Sequence, residues 1–110
     1  MPGSPSFDIE RRDDPDRTVL ELVGEFDLAA EPVLLQELET ALPSPTLVLD
    51  LTRVTFMDST GLRLLLEADA HARDSGHRCM IVRGPGVHRV IEEGLLASRL
   101  DVVERLPDGV

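Results

Sequence analysis

Lysine is absent from this chain of 110 residues, so all 11 of its basic side chains are arginines. A protein with no ε-amine cannot form a Schiff base of its own or supply the lysine of a phosphate-binding P-loop. Tryptophan and tyrosine are missing as well, which leaves Phe7, Phe26 and Phe56 as the aromatic residues. Such a chain has no stacking platform for bases or sugars, and its core is expected to be aliphatic. The single cysteine, Cys79, excludes an internal disulfide framework and a zinc site built on several thiolates, and it fits a reducing compartment. No apolar run approaches the roughly 20 residues that span a bilayer. The opening Met1-Pro2-Gly3-Ser4-Pro5-Ser6 has neither the basic region nor the apolar stretch of a secretory signal. A soluble, cytoplasmic protein is expected, with residues 1–6 as a flexible lead-in and 107–110 as a tail.

What the chain has in excess is acid. Its net charge is −10, and residues 1–55 hold 12 acids against 4 arginines, whereas 56–110 hold 9 against 7. A field of that sign repels nucleic acid and anionic membranes, so neither is an expected partner. Hydrophobic residues at 42% and charged ones at 29% are globular proportions. The length allows one hydrophobic core, and one domain is expected over residues 7–106.

Two strand-like runs, "FDIERR" (7–12) and "RTVLELVG" (17–24), flank the turn-forming "DDPD" and read as a hairpin at a sheet edge. In "VLLQELETAL", Val33, Leu34, Leu38 and Leu42 recur at helical spacing, Pro32 suits the first turn, and Pro43-Ser44-Pro45 stops the helix. "TLVLDLT" (46–52) is apolar almost without alternation, the pattern of a central strand. A second helix follows from Ser59, with Leu62, Leu65, Leu66, Ala68 and Ala72 on one side and Arg63, Glu67 and Asp74 on the other. Ser75-Gly76 ends it. "RCMIVRG" (78–84) is a further buried strand, Gly84-Pro85-Gly86 turns the chain into a short helix, "VHRVIEEGLL", and a last short strand lies in "ASRLDVVERL". Helices alternating with strands define an α/β domain: a mixed sheet of four to five strands, partly parallel.

The junction "FMDSTGL" carries the chemistry. Ser59 stands where strand gives way to helix, and its ordinary reading is an N-cap, whose hydroxyl contributes about 1 kcal/mol. The capping box is incomplete, because Leu62 occupies the place of the Glu or Gln. The same position also tolerates a phosphate, since a helix start offers unpaired N–H groups and a positive dipole end. A phosphoserine there adds about −1.5 to −2 charges beside Asp58 without melting the helix. Gly61, in this reading, keeps the approach to the hydroxyl open.

"LVLDLTRVTFMDSTGLRLLLEA" closely resembles the signature of STAS domains, specifically the single-domain anti-sigma factor antagonists, in which Asp-Ser-Ser/Thr-Gly opens a helix after the central strand. "LVGEFDLAAEPVL" is similar to the family's Gly-Glu-x-Asp segment, and "VHRVIEEGLL" to its late Arg-containing helix ending in Gly-Leu. Three motifs in the right order, over about residues 7–106, are far more specific than one. The resemblance implies helices packed mainly on one face of the sheet and a partner-switching cycle. In that cycle the unmodified protein binds an anti-sigma factor with serine kinase activity and so frees a sigma factor. Phosphorylation ends the binding, and a phosphatase restores it. By position Ser59 is the acceptor, Thr60 a secondary hydroxyl, Asp58 a contact or orienting residue and Asp27 part of the adjoining partner surface. Gly61 and Arg63 complete that surface, although Arg63 replaces the small residue many members carry there.

Other chemistries fit less well. His71, His77 and His88 have no thiol or carboxylate cluster at ligand spacing and read as surface residues, so no metal or cofactor is expected. Cys79, beside Met80, Ile81 and Val82, reads as a buried hydrophobe. "GPGVHR" has Arg89 where a dinucleotide fingerprint needs its third glycine. A phospho-accepting receiver domain would need a lysine. The alternative within the STAS resemblance is an accessory or scaffold subunit of a lipid or anion transport system with no phospho-switch. Neither reading makes the chain an enzyme.

Overall fold

In the computed structural model, residues 6–87 and 101–103 are described. Apart from Val87, the late helix expected over 87–96 lies outside them, as do the residues before Ser6 and the C-terminal tail. Strand β1 (Phe7–Asp14) turns through Pro15 and Asp16 into β2 (Arg17–Phe26), antiparallel from Phe7↔Gly24 to Asp14↔Arg17. Pro15 and Asp16 supply the turn-forming residues. A 3₁₀ turn (Leu28–Ala30) leads into helix α1 (Glu31–Ala41), which has proline in its first turn as expected. Strand β3 (Thr46–Met57), helix α2 (Ser59–Asp74), β4 (Arg78–Val82) and β5 (Asp101–Val103) follow. The described strands form one mixed sheet in the order β1-β2-β3-β4-β5, with the last three pairings parallel.

Both described helices pack on the same face. Leu47, Leu49 and Leu51 of β3 join Leu20 and Leu22 of β2 in one core with Leu34, Leu38 and Ala41 of α1 and Leu64, Leu65, Ala68 and Ala72 of α2. The intervening Val48 points the other way, as strand alternation requires, and forms a smaller cluster with Val19, Val82 and Val103. Cys79 is buried in the main core, as its apolar neighbours imply.

Several expectations shift by a residue or more. The core is not purely aliphatic: Phe26 is 1% exposed, and its ring lies 5.6 Å from that of Phe7. On α1 Ala41 is buried and Val33 turns outward, 44% exposed. On α2 the buried stripe runs through Gly61, Leu64, Leu65, Ala68 and Ala72, while Leu62 and Leu66 lie half-buried at its edges.

The largest difference concerns β3, which continues five residues past the expected end at 52. Its pairing with β2 shifts twice, between Glu21 and Val23 and between Gly24 and Glu25, and each time β3 carries the additional residue. An additional residue reverses the in-and-out phase of a strand. Leu51, Val54 and Met57 are therefore all buried at a spacing of three, with exposed pairs between them. The bulged stretch is braced by the turn after β4. A Cβ on Gly84 would meet the Leu51 carbonyl, and one on Gly86 the Val54 carbonyl, so only glycines let this turn lie against the β3 backbone.

Candidate functional site

Two parallel strands end side by side. Phe26 of β2 and Met57 of β3 are register partners, and the Asp58 N–H donates to the Phe26 carbonyl at 3.2 Å. The next residues, Asp27 and Asp58, thus leave strand ends that lie about 5 Å apart. Each carboxylate turns back to start the following element. Asp27 accepts from the Ala29 N–H at 3.0 Å, and Asp58 accepts from the N–H groups of Thr60 and Gly61 at 3.0 and 3.1 Å.

The N-cap of α2 is therefore Asp58 and not Ser59. Because β3 runs on to Met57, one residue separates strand from helix, and that residue must cap. Its backbone is extended (φ −94°, ψ −174°), and its charged side chain serves two orphan N–H groups at the positive end of the helix dipole. Ser59 moves into the first helical position. Its side chain is exposed and takes no part in the cap. The hydroxyl is left at the surface, held on a rigid element.

Gly61 does something other than open a path to that hydroxyl. It is buried, and a Cβ there would lie 2.8 Å from Met57 Cγ and 3.3 Å from the Phe26 carbonyl. Its missing side chain lets the first turn of α2 close on the two strand ends, so it shapes the site from below and offers no contact surface. Thr60 is half-buried and gives its N–H to the cap.

Arg63, one turn further along α2, is exposed and holds two carboxylates. One Nη donates to Glu31 Oε2 at 2.7 Å, the other to Glu67 Oε2 at 2.9 Å. Hydrogen bonds to Glu67 first, and then to Glu31, raise its pKa above the ordinary arginine value. Glu31 opens α1, so this ion pair ties the starts of the two helices together. Sequence reading missed Glu31 because it lies 32 residues from Arg63, and no local pattern pairs them.

Exposed apolar side chains flank the same strand ends. Leu28, following Asp27, is 67% exposed, and Phe56, preceding Met57, is 49% exposed. Large apolar groups beside a polar centre are what a protein-docking surface presents. The signal for Leu28 was its place between a capping aspartate and two alanines, and that for Phe56 was the broken alternation of 52–57. Among the described residues no group of three or more His, Cys, Asp or Glu stands in metal-binding geometry. His77 is half-buried rather than free on the surface. Its Nδ1 lies 3.2 Å from the Leu42 carbonyl, and that contact requires the proton on Nδ1. A groove of about 660 Å³ between the helices, lined in part by Leu35, Leu42, Leu64, His71 and Ser75, reaches the far end of α2. His71 lies twelve residues beyond Ser59, about 18 Å along the helix axis.

An exposed serine thus opens the helix after the central strand, on a mixed sheet with both described helices on one face. The model of the family described as "Mlab, STAS domain" matches residues 9–104, and the chain belongs to that STAS family. Among solved structures it is similar to an anti-sigma factor antagonist from Mycobacterium paratuberculosis, at 26% identity and a TM-score of 0.81, over 92% of this chain and 88% of that one. It shares its fold with the anti-sigma factor antagonist SpoIIAA in its unphosphorylated form, at 23% identity and a TM-score of 0.73, over 90% of this chain and 89% of that one. The phosphorylated form of SpoIIAA, a Bacillus cell fate determinant, aligns at 22% identity and a TM-score of 0.68, over 90% and 92%. No curated protein matches the sequence closely enough to count as a relative. No described helix is long and apolar enough to cross a membrane.

Proposed function

We propose that this chain is an anti-sigma factor antagonist that works by partner switching, with Ser59 as the modified residue. The observation that carries the reading is the position of the Ser59 side chain: exposed, at the first helical position, and relieved of capping by Asp58. In the unmodified state the surface around Asp27, Leu28, Phe56, Asp58 and Ser59 docks an anti-sigma factor that is also a serine kinase, and the sigma factor is released. The kinase then transfers the γ-phosphoryl group of ATP. The Ser59 Oγ–P bond forms as the bond to the ADP oxygen breaks, and the hydroxyl proton passes to a base of the kinase. A phosphatase hydrolyses the ester with water and returns serine and inorganic phosphate. The chain is a substrate throughout and supplies no catalytic group.

The physical effect is electrostatic. A phosphate adds about −1.5 to −2 charges to a surface that already carries the Asp27 and Asp58 carboxylates. The helix survives, because its unpaired N–H groups and dipole favour an anion there. The docking surface does not, because its centre is now a hydrated dianion that must be stripped of water for the partner to bind. That SpoIIAA, with the same fold, has been solved in phosphorylated and unphosphorylated forms supports the reading.

Incubation with the cognate kinase and ATP, followed by mass spectrometry, tests it. One phosphate on Ser59, absent from Ser59→Ala, is expected. Phosphate on Thr60 alone, or on neither residue, would contradict it. Recovery of an ATPase–permease assembly and no kinase on affinity capture would favour the transport-accessory alternative.

A further inference from the structure

Ser59 and Arg63 are four residues apart on α2, both exposed, and so occupy one face of the helix with Cβ atoms about 5–6 Å apart. Arg63 divides its two Nη groups between carboxylates on different elements, Glu67 of its own helix and Glu31 of α1. Neither pair is the two-pronged contact a guanidinium can make with one anion. Both carboxylates are monoanions, and Glu67 lies on the C-terminal side of Arg63, the weaker orientation for a helical ion pair. A phosphate on Ser59 differs in every respect. It is a dianion with three acceptor oxygens, it lies N-terminal to the arginine at the favoured spacing, and it can take both Nη groups at once.

We propose that Arg63 is the internal receptor of the phosphate: when Ser59 is modified, the guanidinium leaves Glu31 and turns to the phosphoserine, uncovering the Glu31 carboxylate at the start of α1. This rests on Ser59 being the modified residue, and it adds a second consequence of the modification. The new charge at α2 is partly neutralised where it forms, and a negative charge appears on α1, beside the exposed Leu28. The link between the helix starts is exchanged for one within α2. A partner that spans both helices therefore senses the modification at two places, and a partner that touches Glu31 alone still senses it. Arg63 acts as a positioning residue and takes no part in phosphoryl transfer.

Phosphoserine introduced at position 59 during translation tests this without a kinase, so the outcome is independent of whether any kinase modifies the residue. The second ionisation of the phosphate, followed by phosphorus NMR at low salt, is compared in the otherwise native protein, Arg63→Gln, Arg63→Lys and Glu31→Gln. The native protein should ionise about 0.3 pH unit lower than Arg63→Gln, the size expected of a helical ion pair. Arg63→Lys should retain part of that difference. Glu31→Gln, which removes one of the two competing carboxylates, should ionise lower still. Equal values in the native and Arg63→Gln proteins would overturn the proposal. So would an Arg63 effect with no further fall in Glu31→Gln, because attraction would then occur without exchange. A purely structural role for Arg63 would leave the phosphate ionising alike in the native protein, Arg63→Gln and Arg63→Lys.

Discussion

Two charged regions of this molecule use the same residue types for different ends. At the hairpin, Arg12 pairs with Asp14 and Arg17 with Asp16 at 3.7 Å, neighbours in sequence with mostly exposed side chains. No large apolar side chain is exposed on either hairpin strand among the described residues. This is a solvated sheet edge, where charge discourages another strand from pairing with β1. At the opposite ends of β2 and β3, two aspartates are committed to backbone N–H groups, an arginine bridges two helices, and Leu28 and Phe56 face solvent. The lesson is that composition does not tell a docking surface from a solvated one. What separates them is the surroundings of the charges: at the strand ends two aspartates start helical elements beside exposed Leu28 and Phe56, whereas at the hairpin no large apolar side chain is exposed among the described residues.

That contrast can be broken by substitution. The largest expected effect is at Gly61. Gly61→Ala forces a methyl against Met57 and the Phe26 carbonyl and should destabilise the fold by about 1–3 kcal/mol, the usual cost of overpacking. Urea unfolding measures it, and a loss below a few tenths would mean that the helix start is not clamped to the strand ends. Asp58→Ala should cost about 1–2 kcal/mol, since it orphans two N–H groups at once. Asp14→Ala, at the hairpin, should fall within about 0.5 kcal/mol of the parent, as exposed ion pairs do.

The smallest effect is a pH dependence at Asp13. Arg11 first, and then Thr18, hold its carboxyl below the ordinary aspartate range through hydrogen bonds. A carboxyl lowered in the folded state stabilises above its unfolded pKa, and that stabilisation is lost as the pH falls through the folded value. Asp13→Asn should therefore unfold slightly earlier than the parent near neutral pH, and the two curves should converge in acid. Curves that diverge on acidification would reverse the sign of this account.

The hairpin, the central strand, both helices and the buried Cys79 were legible because each follows a simple period or a clear turn signal. The end of β3 was not. Two bulges convert its alternation into a spacing of three through Leu51, Val54 and Met57, which no regular strand or helix pattern describes. That one misjudged boundary moved the cap from Asp58 to Ser59. It also concealed the reason for Gly61, whose neighbours come from strand ends that sequence could not place. The family motif points to the stretch around Ser59 but does not include Glu31, so the Arg63 bridge became visible only when the two helix starts were brought together. Phe56, to which sequence reading assigned no place, is turned outward by the bulged strand.

The central claim is that charge gained on the Ser59 hydroxyl decides which partner docks. Its most direct measurement is calorimetric titration of the anti-sigma kinase into three proteins of equal fold: the unmodified chain, Ser59→Ala, and the chain carrying phosphoserine at 59. The account predicts that the first two bind alike and that the phosphorylated protein binds at least tenfold more weakly, a difference of about 1.4 kcal/mol. Equal affinity for the phosphorylated and unmodified proteins would contradict it.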